Sequence, residues 1–92
     1  MNKKRERLEV IYDILKTIQE KDGKIKPTHI LYKSNLSHQM MSEYLLELIK
    51  GKFVIEHQTS SGKTYQLTEK GHQYISKYKL IVEFIESFEL ES

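Results

Sequence analysis

Not one cysteine occurs in these 92 residues, so neither a disulfide nor a thiolate metal site can hold the fold. The same absence fits a reducing interior. No run is apolar enough to span a bilayer, so no membrane partner is expected. The opening MNKKRERLEV is basic, but no apolar signal-peptide core follows it, and export is not expected. Excess charge is lacking too, with a formal net charge of only +2. A chain of this length suits one domain around one modest hydrophobic core.

Catalytic groupings are missing as well. His29, His38, His57 and His72 fall on different segments and form no close metal-ligand pair. The serines are plentiful, yet no Gly-x-Ser-x-Gly elbow occurs. Gly62-Lys63-Thr64 resembles the end of a phosphate loop, but the earlier glycine and the strand-loop-helix context are absent. No enzyme activity, cofactor, metal or small-molecule ligand is expected.

What charge there is lies unevenly. Up to Asn35 there are nine Lys and Arg against five Asp and Glu. From Leu36 to Thr64 the signs balance at three each, and from Tyr65 onward three face five. The basic amino-terminal third and acidic tail suggest polarity across the molecule.

Hydrophobic periodicity organises the rest. Lys4 to Glu20 reads as a helix with a stripe of Leu8, Ile11, Leu15 and Ile18, and Ile14 beside it. Asp22-Gly23 ends it. Lys24-Ile25-Lys26 alternates and predicts a very short strand with Ile25 inward. Pro27 suits the first position of a helix, giving a short helix over Thr28 to Lys33 that buries Ile30, Leu31 or both. Ser34-Asn35 then turns the chain. Ser37 caps the next helix, SHQMMSEYLLELIK, whose Met41, Tyr44, Leu45, Leu48 and Ile49 form one apolar face. Gly51 is expected to supply its left-handed terminus. Two helices joined by so short a turn form a helix-turn-helix unit.

A hairpin follows. Phe53-Val54-Ile55 opens a strand running to Gln58, Thr59 to Lys63 reads as a polar loop, and Thr64 to Leu67 returns. Thr68 caps a last helix reaching about Leu90. Gly71 inside it costs roughly 1 kcal/mol against alanine, which implies that another element approaches its backbone. The order is helix, short strand, helix, helix, two-stranded wing hairpin and long C-terminal helix. This is an α+β winged helix-turn-helix, expected as a DNA-binding domain over residues 1–70 and a continuous dimerisation helix over 68–92.

The last helix carries more apolar surface than one face needs. Tyr74, Tyr78, Ile81, Ile85 and Phe88 make a heptad seam flanked by Leu80 and Phe84. A second copy of the chain is the simplest partner. Its acidic end, with Glu83, Glu86, Glu89 and Glu91, would be repelled by phosphate.

In a winged helix the second helix of the turn motif enters the major groove. Its candidate base-contacting residues are Ser37, His38, Gln39, Ser42 and Glu43. Gln39 matches adenine, and Glu43 can accept from cytosine. Candidate phosphate contacts are Lys3, Lys4 and Arg5, with Arg7 beside them, then Thr28, His29, Lys33 and Asn35. Ser60, Ser61 and Lys63 complete that set on the wing.

Tyr32 before Asn35-Leu36-Ser37, Tyr44, Phe53-Val54-Ile55 and Leu67-Thr68-Glu69-Lys70-Gly71 together resemble the archaeal winged-helix DNA-binding proteins called the ten-a chromatin-associated family. The resemblance runs from Pro27 to Gly71. It implies small basic proteins that bind duplex DNA and dimerise through a long carboxy-terminal helix as an antiparallel coiled coil. It also implies architectural or regulatory roles and a cytoplasmic, nucleoid-associated location. Here the last helix is shorter and acidic, and the wing from Thr59 to Lys63 is expected to be longer. The modest charge favours a sequence-preferring homodimeric regulator over a charge-driven chromatin coat. The alternative is a winged-helix protein-interaction module without DNA contact.

Overall fold

The computed structural model describes residues 3–21, 25–26, 28–30 and 36–88. Helix α1 spans Lys3–Glu20. It turns Ile11, Ile14, Leu15 and Ile18 into the core, the last three fully buried. Thr17 is also buried, and its hydroxyl donates to the Asp13 carbonyl at 2.8 Å, so no polar atom is stranded. Leu8 departs from the expected stripe: it is 44% exposed, because the core ends one turn short of it.

Ile25 is fully buried and makes a single antiparallel bridge to Tyr65, whose N–H donates to its carbonyl at 3.3 Å. Residues 28–30 are helical, with the His29 and Ile30 N–H groups donating to the Lys26 carbonyl. Ile30 is buried; Pro27, Leu31, Lys33, Ser34 and Asn35 lie outside the described residues.

Helix α2 spans His38–Lys50. The Ser37 hydroxyl accepts from the Met40 N–H at 3.2 Å, and Met41, Leu45 and Leu48 are buried. The other end differs from expectation. Gly51 is right-handed at φ −80°, and Lys52 takes the left-handed conformation at φ +70°. Phe53 N–H reaches the Leu48 carbonyl at 2.9 Å and Lys52 N–H the Ile49 carbonyl at 3.1 Å. These two bonds define a Schellman motif, in which the residue after the cap must be left-handed. Glycine stands one place earlier for a steric reason: a Cβ on Gly51 would lie 3.0 Å from the Phe53 ring.

Strands β1 (Val54–Thr59) and β2 (Gly62–Leu67) pair antiparallel from Val54↔Leu67 to Thr59↔Gly62. The connection is therefore the two residues Ser60-Ser61, shorter than the expected loop, and Lys63 lies in the strand opposite Gln58. Thr59 tightens the turn: its hydroxyl donates to the Gly62 carbonyl at 2.7 Å and accepts from the Ser61 N–H. Gly62, at φ +126°, adopts a backbone that side chains disfavour. Val54, Tyr65 and Leu67 face the core.

Helix α3 spans Glu69–Ser87 and buries Gly71 and Ile75. Thr68 knots three elements together. Its hydroxyl accepts from the Gly71 N–H at 3.1 Å and donates to the Lys52 carbonyl at 2.6 Å, while its N–H donates to the Phe53 carbonyl at 3.1 Å. The first half of α3 lies against α1: the Tyr78 ring stacks on Tyr12 with centroids 4.7 Å apart, and the Tyr74 hydroxyl donates to the Leu8 carbonyl at 2.9 Å.

Candidate nucleic-acid interface

Helix α2 divides its surface cleanly. With Met41, Leu45 and Leu48 buried beneath it, Ser37, His38, Gln39, Ser42 and Glu43 are all exposed. The candidate base-contacting residues thus share the solvent-facing side of the first two turns. Two of them already meet: Gln39 Nε2 donates to a Glu43 carboxylate oxygen at 3.2 Å. Met40, at the edge of this face, is 44% exposed.

Glu47 is held by another element. The Arg7 guanidinium of α1 donates to its carboxylate and sits 5.5 Å from the centroid of the Tyr44 ring. That hydrogen bond raises the Arg7 pKa, against a smaller opposing effect of burial, and the nearby Glu47 charge raises it further. Both partners are about half exposed, so the pair aligns α1 with α2 more than it stabilises the fold. Arg7, grouped in the sequence with the phosphate candidates, is engaged internally. Lys3, Lys4 and Arg5 begin α1, and their side chains lie outside the described residues.

Thr28 and His29 are exposed at the start of the helical residues 28–30. The wing tip carries Ser60 and Ser61, both exposed. Lys63 lies 3.6 Å from a Glu56 carboxylate oxygen, which shares its charge with a neighbour. The same carboxylate accepts from the Tyr65 hydroxyl at 3.2 Å. Burial, that bond and the Glu56 charge together push the Tyr65 pKa up to about 12.

Two cations escaped the sequence reading. Lys26 donates to the Ser61 carbonyl at 3.4 Å, beside the wing tip. The alternation Lys24-Ile25-Lys26 implied that Lys26 faces outward, but its neighbourhood depends on the distant bridge between Ile25 and Tyr65. Lys50, exposed in the last turn of α2, continues the outer face of that helix.

Along α3 the seam residues divide. Tyr74 and Tyr78 are half-buried within the domain, Tyr74 edge-on to Phe53 with centroids 6.0 Å apart. Ile85 is half-buried. Leu80, Ile81, Phe84 and Phe88 are 54–63% exposed. A groove of about 350 Å³ runs beside them, walled by Leu8, Phe53, Tyr74, Tyr78 and Ile81, with Lys70 and Lys77. Among the described residues no group of three His, Asp or Glu side chains is placed to hold a metal ion, and no helix is long and apolar enough to cross a membrane.

A family profile described as "Winged helix-turn-helix" matches residues 4–86. Among solved structures, Sso10a-2, a DNA-binding protein from Sulfolobus solfataricus, superposes with a TM-score of 0.76 at 22% identity, covering 88% of this chain and 82% of that one. AF1382 from Archaeoglobus fulgidus gives 0.70 at 19% identity, over 84% and 87%. A mutant of MepR from S. aureus, bound to an oligodeoxyribonucleotide, gives 0.74 at 18% identity, over 94% and 67%. At these identities the likeness is one of fold. No curated protein sequence matches the chain.

Proposed function

The chain belongs to the winged helix-turn-helix family, and from that premise we propose that it is a homodimeric, sequence-preferring double-stranded DNA-binding regulator akin to the archaeal ten-a proteins. One observation carries the reading: the buried side of α2 fixes the helix while Ser37, His38, Gln39, Ser42 and Glu43 are exposed opposite it. The amino-terminal turns of such a helix reach base edges in the major groove. Thr28 and His29, with Lys26, Ser60, Ser61 and Lys63 about the wing, serve the phosphates, and Lys33 and Asn35, outside the described residues, are assigned the same role. Lys3, Lys4 and Arg5 extend that contact along the duplex. The work is done in the nucleoid, without cofactor or catalysis.

The second copy docks on the exposed part of α3. Leu80, Ile81, Phe84 and Phe88 supply the apolar contact, with Tyr74, Tyr78 and Ile85 at its margin. Lys70, Lys77 and Lys79 precede Ile81, and Glu83 and Glu86 follow it. An antiparallel pair sets the basic half of each helix against the acidic half of the other; a parallel pair sets like against like. Pairing centred near Ile81 also carries Phe84 and Phe88 towards the partner's groove beside Tyr74 and Tyr78.

The competing reading, a protein-interaction module, draws on Glu43 at the centre of the outer face. Titration of duplex fragments by fluorescence anisotropy at several salt concentrations decides between them. If roughly five phosphates are neutralised, log affinity against log salt falls with a slope of about −4.5. The expected result is such a slope together with a preference for particular duplexes. A steep slope without preference refutes the regulator, and no retention at low salt refutes DNA binding.

A further inference from the structure

One residue on the outer face of α2 belongs to neither the polar set nor the core. Leu46 is 55% exposed, yet its neighbours Leu45 and Leu48 are buried. At about 100° per residue, Gln39, Ser42, Glu43, Leu46 and Lys50 fall within one arc of about 100°. Leu46 therefore stands in the same row as the candidate base-contacting residues, one turn further on. An isolated apolar side chain there gains nothing from water.

We infer that Leu46 is a specificity residue, packing on the 5-methyl group of a thymine in the major groove. This rests on the DNA-binding reading above. Thymine is the base that presents a methyl group in that groove, and apolar side chains are its natural partners. Recognition helices that lie along the groove address successive bases with side chains three or four positions apart. Gln39, Ser42 or Glu43, and Leu46 keep that spacing. Gln39 matches adenine, the middle position addresses the next base, and Leu46 the one after. The face lacks arginine, and its lysine, Lys50, lies one turn beyond Leu46 in the last turn of the helix. An amide and an apolar side chain at its two ends both favour A·T pairs.

The test starts from the duplex preferred by the full-length protein, selected from random sequence. Each thymine in turn is replaced by deoxyuridine, which removes only the methyl group. Affinity is measured for the wild type and for Leu46→Ala, whose exposed site leaves the core untouched. Burying one methyl group is worth about 0.8 kcal/mol, or roughly fourfold in affinity. Wild type is expected to lose about that factor at one thymine, and Leu46→Ala to bind the two duplexes equally. The inference is overturned if Leu46→Ala keeps the full methyl sensitivity, or if no thymine shows any. It is equally overturned if the substitution changes only the association state of the protein. Failure to bind any duplex at low salt would remove the underlying DNA reading as well, and is a separate outcome.

Discussion

Gly71→Ala sets two opposing effects against each other, and the structure gives their balance. In an unhindered helix the change stabilises by about 1 kcal/mol. Here the added Cβ would lie 2.5 Å from the Phe53 carbonyl oxygen and 3.2 Å from Leu67 Cδ2. An ordinary carbon–oxygen contact is about 3.3 Å, so α3 and the segment after α2 must part by about 0.8 Å. Neither side yields easily. The Phe53 carbonyl is the acceptor for Thr68 N–H, and the Thr68 hydroxyl ties Lys52 to Gly71. Overpacking of this kind costs about 1–3 kcal/mol, and loosening one hydrogen bond costs about 1 kcal/mol more. Net destabilisation is then about 2 kcal/mol. In a domain of this size that lowers Tm by about 8–16 °C. The assay is thermal unfolding at fixed protein concentration, because the proposed dimer would make Tm concentration-dependent. Ser76→Ala, at an exposed site on the same helix, serves as the reference and should change Tm little. A higher Tm for Gly71→Ala would refute the close approach.

Lys52→Gly should stabilise by about 1 kcal/mol, since it relieves a left-handed backbone at φ +70° in a residue with a side chain; chemical denaturation checks it. Replacing both Leu80 and Phe84 with glutamate should leave a folded monomer in sedimentation, as both are more than half exposed; a wild-type chain that is already monomeric at high concentration would remove the dimer. Burial first, with the Glu56 bond for Tyr65 and the Tyr78 neighbour for Tyr74, raises two tyrosines to about 12. Because their folded pKa lies above the ordinary value near 10, the linked stability is fully present below pH about 10 and lost as pH rises towards about 12. Tyrosinate absorbance should show a component that titrates above the ordinary value near 10, and the unfolding midpoint should fall across the same window.

Features set by near neighbours in sequence were legible. Ser37 as a cap, the periodic burial of Met41, Leu45 and Leu48, and Thr68 as the start of the last helix all depend on residues within one turn. The close approach at Gly71 could be inferred because glycine is costly inside a helix, though its partner, the Phe53 carbonyl, could not be named. What escaped depends on distant contacts. The left-handed residue is Lys52 and not Gly51 because the Phe53 N–H closes on the Leu48 carbonyl, while the Phe53 ring folds back over the glycine. The wing closed to two residues because Thr59 bonds across the turn, which drew Lys63 into the strand. Arg7 belongs to Glu47, forty positions away, and Lys26 to the wing tip. Periodicity gives the face of a helix but not the side chain of another element that meets it.

On the proposed DNA-binding reading, these distant contacts also bear on how a helix as acidic as α2 could lie near phosphates. Two carboxylates on α2 would each oppose the phosphates. Glu47 is neutralised by Arg7 from α1, and Glu43 accepts from Gln39. On that reading the first pairing, with Arg7 supplied by α1, can stay closed. The second must open before Gln39 can meet a base, so part of the gain at Gln39 is offset by a bond already made. On that reading the centre of the helix would add little net affinity and would act by refusing wrong bases. Attraction would then have to come from cations at the periphery, Lys26 and Lys63 by the wing and Lys50 at the end of α2. The proposed dimer would double that peripheral charge while repeating the same weak centre, so each half-site would add discrimination in proportion to the affinity it adds.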